Sequence, residues 1–127
     1  MPNVLSEREG RRSMESRFAQ QLKKGVLDMV VLRLICERDT YGYELLQELE
    51  KKGESFFRLK EGTLYPVLYR LEDNGLIRAS WKTGEGRVSP KKYYQITEDG
   101  KRVLEEYHEI WERFSACVDR LCGEEGK

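Results

Sequence analysis

The apolar positions change period along the chain, and each change marks an element. Leu22, Val26, Leu27, Met29, Val30, Val31, Leu32, Leu34 and Ile35 form the densest apolar run. No Pro, and no Gly after Gly25, interrupts it, so it predicts a largely buried helix over 22–37 that stops near Arg38-Asp39. Met14, Phe18 and Leu22 recur at helical spacing ahead of it, which makes residues 1–20 a flexible or partly helical arm. Asp39-Thr40 is an N-cap signal for a helix from Tyr41 to Lys52 that buries Leu45, Leu46 and Leu49 and stops at Gly53. Ser55-Phe56-Phe57 reads as an edge strand or a docking turn.

Leu64, Val67, Leu68 and Leu71 then recur at i, i+3, i+4 and i+7, an amphipathic helix over about 63–74. Pro66 suits its first turn, where no backbone donor is needed, and Asn74-Gly75 supplies its stop. The period drops to two where Ile77, Ala79 and Trp81 alternate with Arg78, Ser80 and Lys82, a half-buried strand. Thr83 to Pro90 is a glycine-bearing tip. Lys92 to Thr97 returns with Tyr94 and Ile96 inward. Thr97 or Asp99 caps a last helix that runs to about Cys122. Its apolar positions Leu104, Tyr107, Trp111, Phe114, Val118 and Leu121 make a heptad seam, widened by Val103, Ile110 and Cys117.

These elements predict a mainly α chain with a small β-hairpin wing: a winged helix-turn-helix followed by a long C-terminal dimerisation helix. The expected organisation is an arm at 1–20, a winged-helix domain at 21–97, the dimerisation helix at 98–122 and a disordered tail at 123–127. The seam from Leu104 to Leu121 is too wide for the parent domain alone, so a second copy of the chain is its expected partner.

The net charge is zero over 127 residues, but the charges are segregated. Residues 56–102 carry ten Lys/Arg against six Asp/Glu, and residues 103–127 carry three against seven. The positive segment coincides with the helix-plus-ribbon unit, which points to double-stranded DNA as partner. Thr63 and Tyr65 are the first candidates for base edges or nearby phosphates, and Tyr69 follows. Arg70 either contacts DNA or pairs with Glu44 or Asp73. Lys60, Lys82, Arg87, Lys91 and Lys92 are candidate phosphate or minor-groove contacts. Gly42 and Tyr43 either admit a phosphate to a helix N-terminus or serve packing.

Other chemistry is poorly supported. Cys36, Cys117 and Cys122 form no CxxC and read as reduced thiols, two of them within apolar helical patterns. His108 is the sole histidine and sits on an acidic helix. No nucleophile–base set, metal-ligand cluster or phosphate-binding glycine loop is present, so neither an enzyme nor a cofactor is expected. No apolar run reaches the length of a membrane span, and a cytoplasmic location is expected.

Four motifs resemble the PadR family of bacterial transcription regulators. They are Asp39-Thr40-Tyr41-Gly42-Tyr43-Glu44-Leu45; Glu61 to Glu72, read EGTLYPVLYRLE; Gly75-Leu76-Ile77; and Lys92 to Gly100, read KYYQITEDG. The resemblance covers about 22–121 and implies a winged-helix DNA-binding domain, a homodimer through the C-terminal helix, and repression relieved by a small effector. The single C-terminal helix is similar to the compact branch of the family. In some compact relatives an aromatic residue of that helix stacks on flat, often cationic molecules at the dimer interface. Trp111 matches it by its distance from Thr97-Glu98-Asp99-Gly100. An effector-independent DNA-binding factor and a winged helix that binds protein are the alternatives.

Overall fold

A computed structural model describes residues 4–54, 56–83, 86 and 89–123, with the backbone alone for 4–16. Arg87, its wing-tip neighbours 84, 85 and 88, and 124–127, most of the expected disordered tail, lie outside the described residues. In chain order the elements are α1 (Val4–Glu37), β1 (Thr40–Tyr41), α2 (Gly42–Gly53), α3 (Glu61–Asp73), β2 (Ile77–Lys82), β3 (Lys91–Ile96) and α4 (Glu98–Cys122).

The core is where the helical stripes meet. Leu27, Val31, Leu32 and Ile35 of α1 pack with Leu45 and Leu49 of α2 and with Leu64, Val67, Leu68 and Leu71 of α3. Tyr94, Ile77 and Leu104 close it from the sheet and from α4. The apolar run of α1 is thus buried from Leu27 onward. Phe18 and Leu22, one and more turns earlier, stand exposed. The helix itself begins at Val4, well before residue 22.

The sheet has three strands in the order β1-β3-β2, both pairings antiparallel. The third strand corrects the sequence reading. Thr40 and Tyr41, expected at a helix start, pair with Tyr94 and Tyr93. The helix therefore begins at Gly42, and its N-cap Tyr41 makes no side-chain cap bond. Thr40 is buried and donates its hydroxyl to Glu44 Oε1 at 2.9 Å. Phe56 and Phe57 form a turn, not a strand.

The second helix stops at Gly53 as expected, whereas Pro66 lies deeper in its helix than expected. Gly53 is the last residue of α2, and Glu54 takes the left-handed φ of 52°. The glycine also serves packing, since a Cβ there would lie 2.7 Å from the Phe57 side chain. In α3, Pro66 is the sixth helical residue rather than part of the first turn. Its missing N–H leaves the carbonyl of exposed Gly62 to water.

The exit of α3 and the start of α4 are tied together. Gly75, at φ 74°, donates to Glu72 O, and Leu76 donates to Leu71 O, the paired bonds of a Schellman turn. Thr97 caps α4 by accepting from Gly100 N at 3.0 Å, and its hydroxyl proton reaches Gly75 O at 2.7 Å or Leu76 O at 3.0 Å. Gly100 lets α4 press on the Leu76 carbonyl, where any Cβ would collide.

Candidate nucleic-acid interface

With Leu64, Val67, Leu68 and Leu71 turned into the core, α3 presents Thr63, Tyr65, Pro66, Tyr69 and Arg70 on its exposed side. Lys60 is its exposed N-cap. The β2–β3 ribbon continues beyond the core, and its register pairs Lys82 with Lys91 and Trp81 with Lys92.

Helix and ribbon meet across a notch of about 440 Å³ lined by Tyr41, Gly42, Tyr43, Tyr65, Trp81, Lys91, Lys92 and Tyr94. It brings together four of the residues singled out from sequence: Tyr43, Tyr65, Lys91 and Lys92. Thr63, Tyr69, Lys60 and Lys82 are exposed outside it. Gly42 is buried against Tyr65: a Cβ on it would lie 2.5 Å from the Tyr65 hydroxyl oxygen. Its bareness thus serves side-chain packing at this seam. Burial pushes the Tyr94 phenol above its usual range, and the neighbouring Glu72 carboxylate and Tyr65 add to the shift. Tyr94 therefore keeps its proton and remains a donor at neutral pH.

The wing cations are held by rings and carboxylates. Lys91 Nζ lies 4.4 Å from the Tyr41 ring centroid, and Lys82 Nζ lies 4.3 Å from that of Tyr93. Tyr41 and Tyr93 are themselves in tilted contact at 5.2 Å. Lys82 also reaches Asp39 at 3.9 Å, and Lys92 reaches Glu72 at 3.5 Å. Such exposed contacts are each worth about 0.5–1 kcal/mol or less, enough to orient an ammonium without neutralising the face.

Trp81 was expected to point into the core and does not. It is 68% exposed. Alternation assigned its face correctly, because Ala79 and Trp81 share a side with Tyr94. The core ends at the Ala79–Tyr94 pair, one step short of it. Tyr41, also missed, entered the site through the unanticipated strand β1.

Arg70 is engaged elsewhere. Its guanidinium donates to Asp28 Oδ1 of α1 at 2.7 Å, and this contact raises its pKa further. Glu44, one expected partner, is held by Arg38 and Thr40. The Arg70–Asp28 pair lies in a second groove of about 770 Å³ between α1 and α4, lined also by Leu22, Phe57, Tyr107 and Trp111. Leu104 of the predicted seam is buried in the chain's own core, and Tyr107 packs partly against it. Trp111, Phe114, Val118 and Leu121 remain exposed.

Among the described residues no group of three or more His, Cys, Asp or Glu could hold a metal ion. No helix among them is long and apolar enough to cross a membrane. His108 lies on the surface 3.0 Å from Glu112, and the three cysteines are free.

The model of the transcriptional regulator PadR-like family matches residues 31–106, from the buried half of α1 into the first turns of α4. The chain belongs to the PadR family of transcriptional regulators. A PadR-family regulator from Eggerthella lenta superposes with a TM-score of 0.81 at 33% identity, over 91% of this chain and 98% of that one. A PadR-like regulator from Bacillus cereus gives 0.71 at 36% identity, over 83% of this chain and 99% of that one. The transcriptional regulator Rv3488 of Mycobacterium tuberculosis is 30% identical over 68% of this chain and 77% of its own length. The negative transcriptional regulator PadR of Bacillus subtilis is 29% identical over 65% of this chain but only 44% of its own length. The similarity to PadR itself thus spans less than half of that longer protein.

In this PadR-family chain the matched segment contains every residue lining the notch. Of the residues lining the second groove it contains only Phe56, Phe57 and Arg70. Trp111 and Phe114 lie beyond it.

Proposed function

We propose that this PadR-family regulator acts as a homodimeric repressor. It binds a pseudo-palindromic operator with α3 in the major groove and the β2–β3 wing over the adjoining minor groove. The observation that carries the reading is the union of Tyr43, Tyr65, Lys91 and Lys92 at one notch, with Thr63, Tyr69, Lys60 and Lys82 exposed around it. Among the described residues no carboxylate lines the notch. Tyrosine hydroxyls and ammonium groups are donors suited to phosphate oxygens, while Thr63 and Tyr65 near the N-terminus of α3 are the readers of base edges.

Dimerisation is supported by the exposed stripe of Trp111, Phe114, Val118 and Leu121 on α4. Four large apolar groups in line on a helix are costly to leave in water, and a second copy covers them. A two-fold dimer spaces its recognition helices by about one DNA turn, roughly 34–36 Å. A flat aromatic effector, often cationic in some of the compact relatives that the sequence resembles, stacks on Trp111 in the groove between α1 and α4. Because Thr97, Gly100 and the Schellman turn join α4 to the exit of α3, a shift of α4 is passed to the recognition helix. The effector then releases DNA by favouring a dimer whose helices miss the operator spacing.

Duplex binding across a salt series tests the reading, with DNA from the protein's own upstream region and duplexes selected from random sequence, each beside a scrambled control. Selective, salt-dependent binding is expected. If neither source yields a selectively bound duplex, the proposal fails.

A further inference from the structure

Resting on that reading, we infer that the notch is the seat of one DNA backbone strand and that Trp81 packs on its deoxyribose. A helix in the major groove and a ribbon over the next minor groove are separated by one sugar–phosphate strand. The notch is the space between those two elements here, lined by Tyr65 from α3 and by Trp81, Lys91 and Lys92 from the wing. Whatever crosses between helix and wing crosses this surface.

Its chemistry matches such a strand. A deoxyribose offers an apolar face beside a phosphodiester that carries full negative charge. The notch offers the same division. Trp81 is a large exposed ring on the core face of the ribbon, one pair beyond Ala79–Tyr94. Around it stand the side chains of Tyr43 and Tyr65 and the ammonium group of Lys91, which is steered by the Tyr41 ring. Tyr94, 3% exposed, also lines the notch. Among the described residues no carboxylate lines the surface, and Lys92 is paired with Glu72 at 3.5 Å. An indole left in water at this position is accounted for by a sugar that covers it on binding.

The contact is to backbone, so it carries affinity without sequence. Trp81→Ala is expected to weaken the operator and a scrambled duplex by the same factor. That factor is about tenfold, which corresponds to about 1.4 kcal/mol. Trp81→Phe should recover part of the loss. Thermal melting should be unchanged in both variants, because the ring is exposed in the free protein.

The chain has two tryptophans, so Trp111→Phe leaves Trp81 as the sole reporter. Binding is followed by anisotropy of a labelled duplex, and Trp81 exposure by acrylamide quenching. Protection of Trp81 on saturation with either duplex is the expected result. Duplex binding that leaves Trp81 as quenchable as in the free protein overturns the inference and leaves the repressor reading standing. So does a Trp81→Ala protein that binds both duplexes as tightly as the parent. Failure of the parent chain to bind any duplex overturns both.

Discussion

The hydroxyl of Tyr65 occupies the space where residue 42 would carry a Cβ, 2.5 Å from that position. Gly42 at the start of α2 and Tyr65 near the start of α3 are thereby fitted to each other across the helix-turn-helix. Gly42→Ala sets helix propensity against this fit. Alanine favours a helix by about 1 kcal/mol over glycine, and the atom in its way ends a rotatable side chain. The expected outcome is a melting temperature within a few degrees of the parent, while operator affinity falls about as far as in Tyr65→Ala. Calorimetry beside duplex titration checks it.

Gly100 is the contrasting case. Its neighbour is the Leu76 backbone carbonyl, which has no rotamer to move. Gly100→Ala should push α4 off the exit of α3 and destabilise the fold by about 1–3 kcal/mol, the usual cost of overpacking. Urea unfolding should show a lower midpoint. A midpoint equal to that of the parent would mean that α4 is not held at Leu76.

Tyr94 gives a pH prediction. Burial, then Glu72 and Tyr65, raise its folded-state pKa. Its contribution to stability is therefore complete below the unfolded tyrosine pKa of about 10 and is lost as pH rises through the higher folded value. The stability gap between parent and Tyr94→Phe should be constant from neutral pH to about 9 and shrink at more alkaline pH. Chemical denaturation at stepped pH measures it, and a constant gap throughout would show that the phenol titrates normally.

Phe114 is 61% exposed in the middle of the uncovered α4 stripe. Phe114→Glu should convert a dimer into a monomer in sedimentation velocity while the winged-helix part keeps its helical signal. The monomer should lose preference for a two-half-site duplex over a single half-site. A parent protein that sediments as a monomer at micromolar concentration would contradict the assignment of the stripe.

Much of this was legible in the sequence because it depends on local periodicity. The buried half of α1, the core face of α3, the Thr97 cap and the α4 stripe are all written at spacings of three and four. What was not legible depends on partners far along the chain. β1 is a strand only because Thr40 and Tyr41 lie beside Tyr94 and Tyr93, more than fifty residues on. Arg70 finds Asp28 across 42 residues, whereas only nearer acids suggested themselves. Alternation told which face Trp81 is on but not where the core stops. Gly53 was legible as the end of its helix, but the close approach of Phe57 to it cannot be seen in a linear pattern.

The central claim is that the α3–wing surface holds DNA, with Tyr65 reading sequence and Lys91 meeting phosphate. Its most direct test is the salt dependence of duplex binding by the parent, Tyr65→Ala and Lys91→Ala, each on a selected operator and on its scrambled counterpart. Tyr65→Ala should lose preference for the operator with little change in the scrambled duplex. Lys91→Ala should weaken both and lower the salt slope by about one unit. Affinities and slopes left unchanged by both substitutions would contradict it.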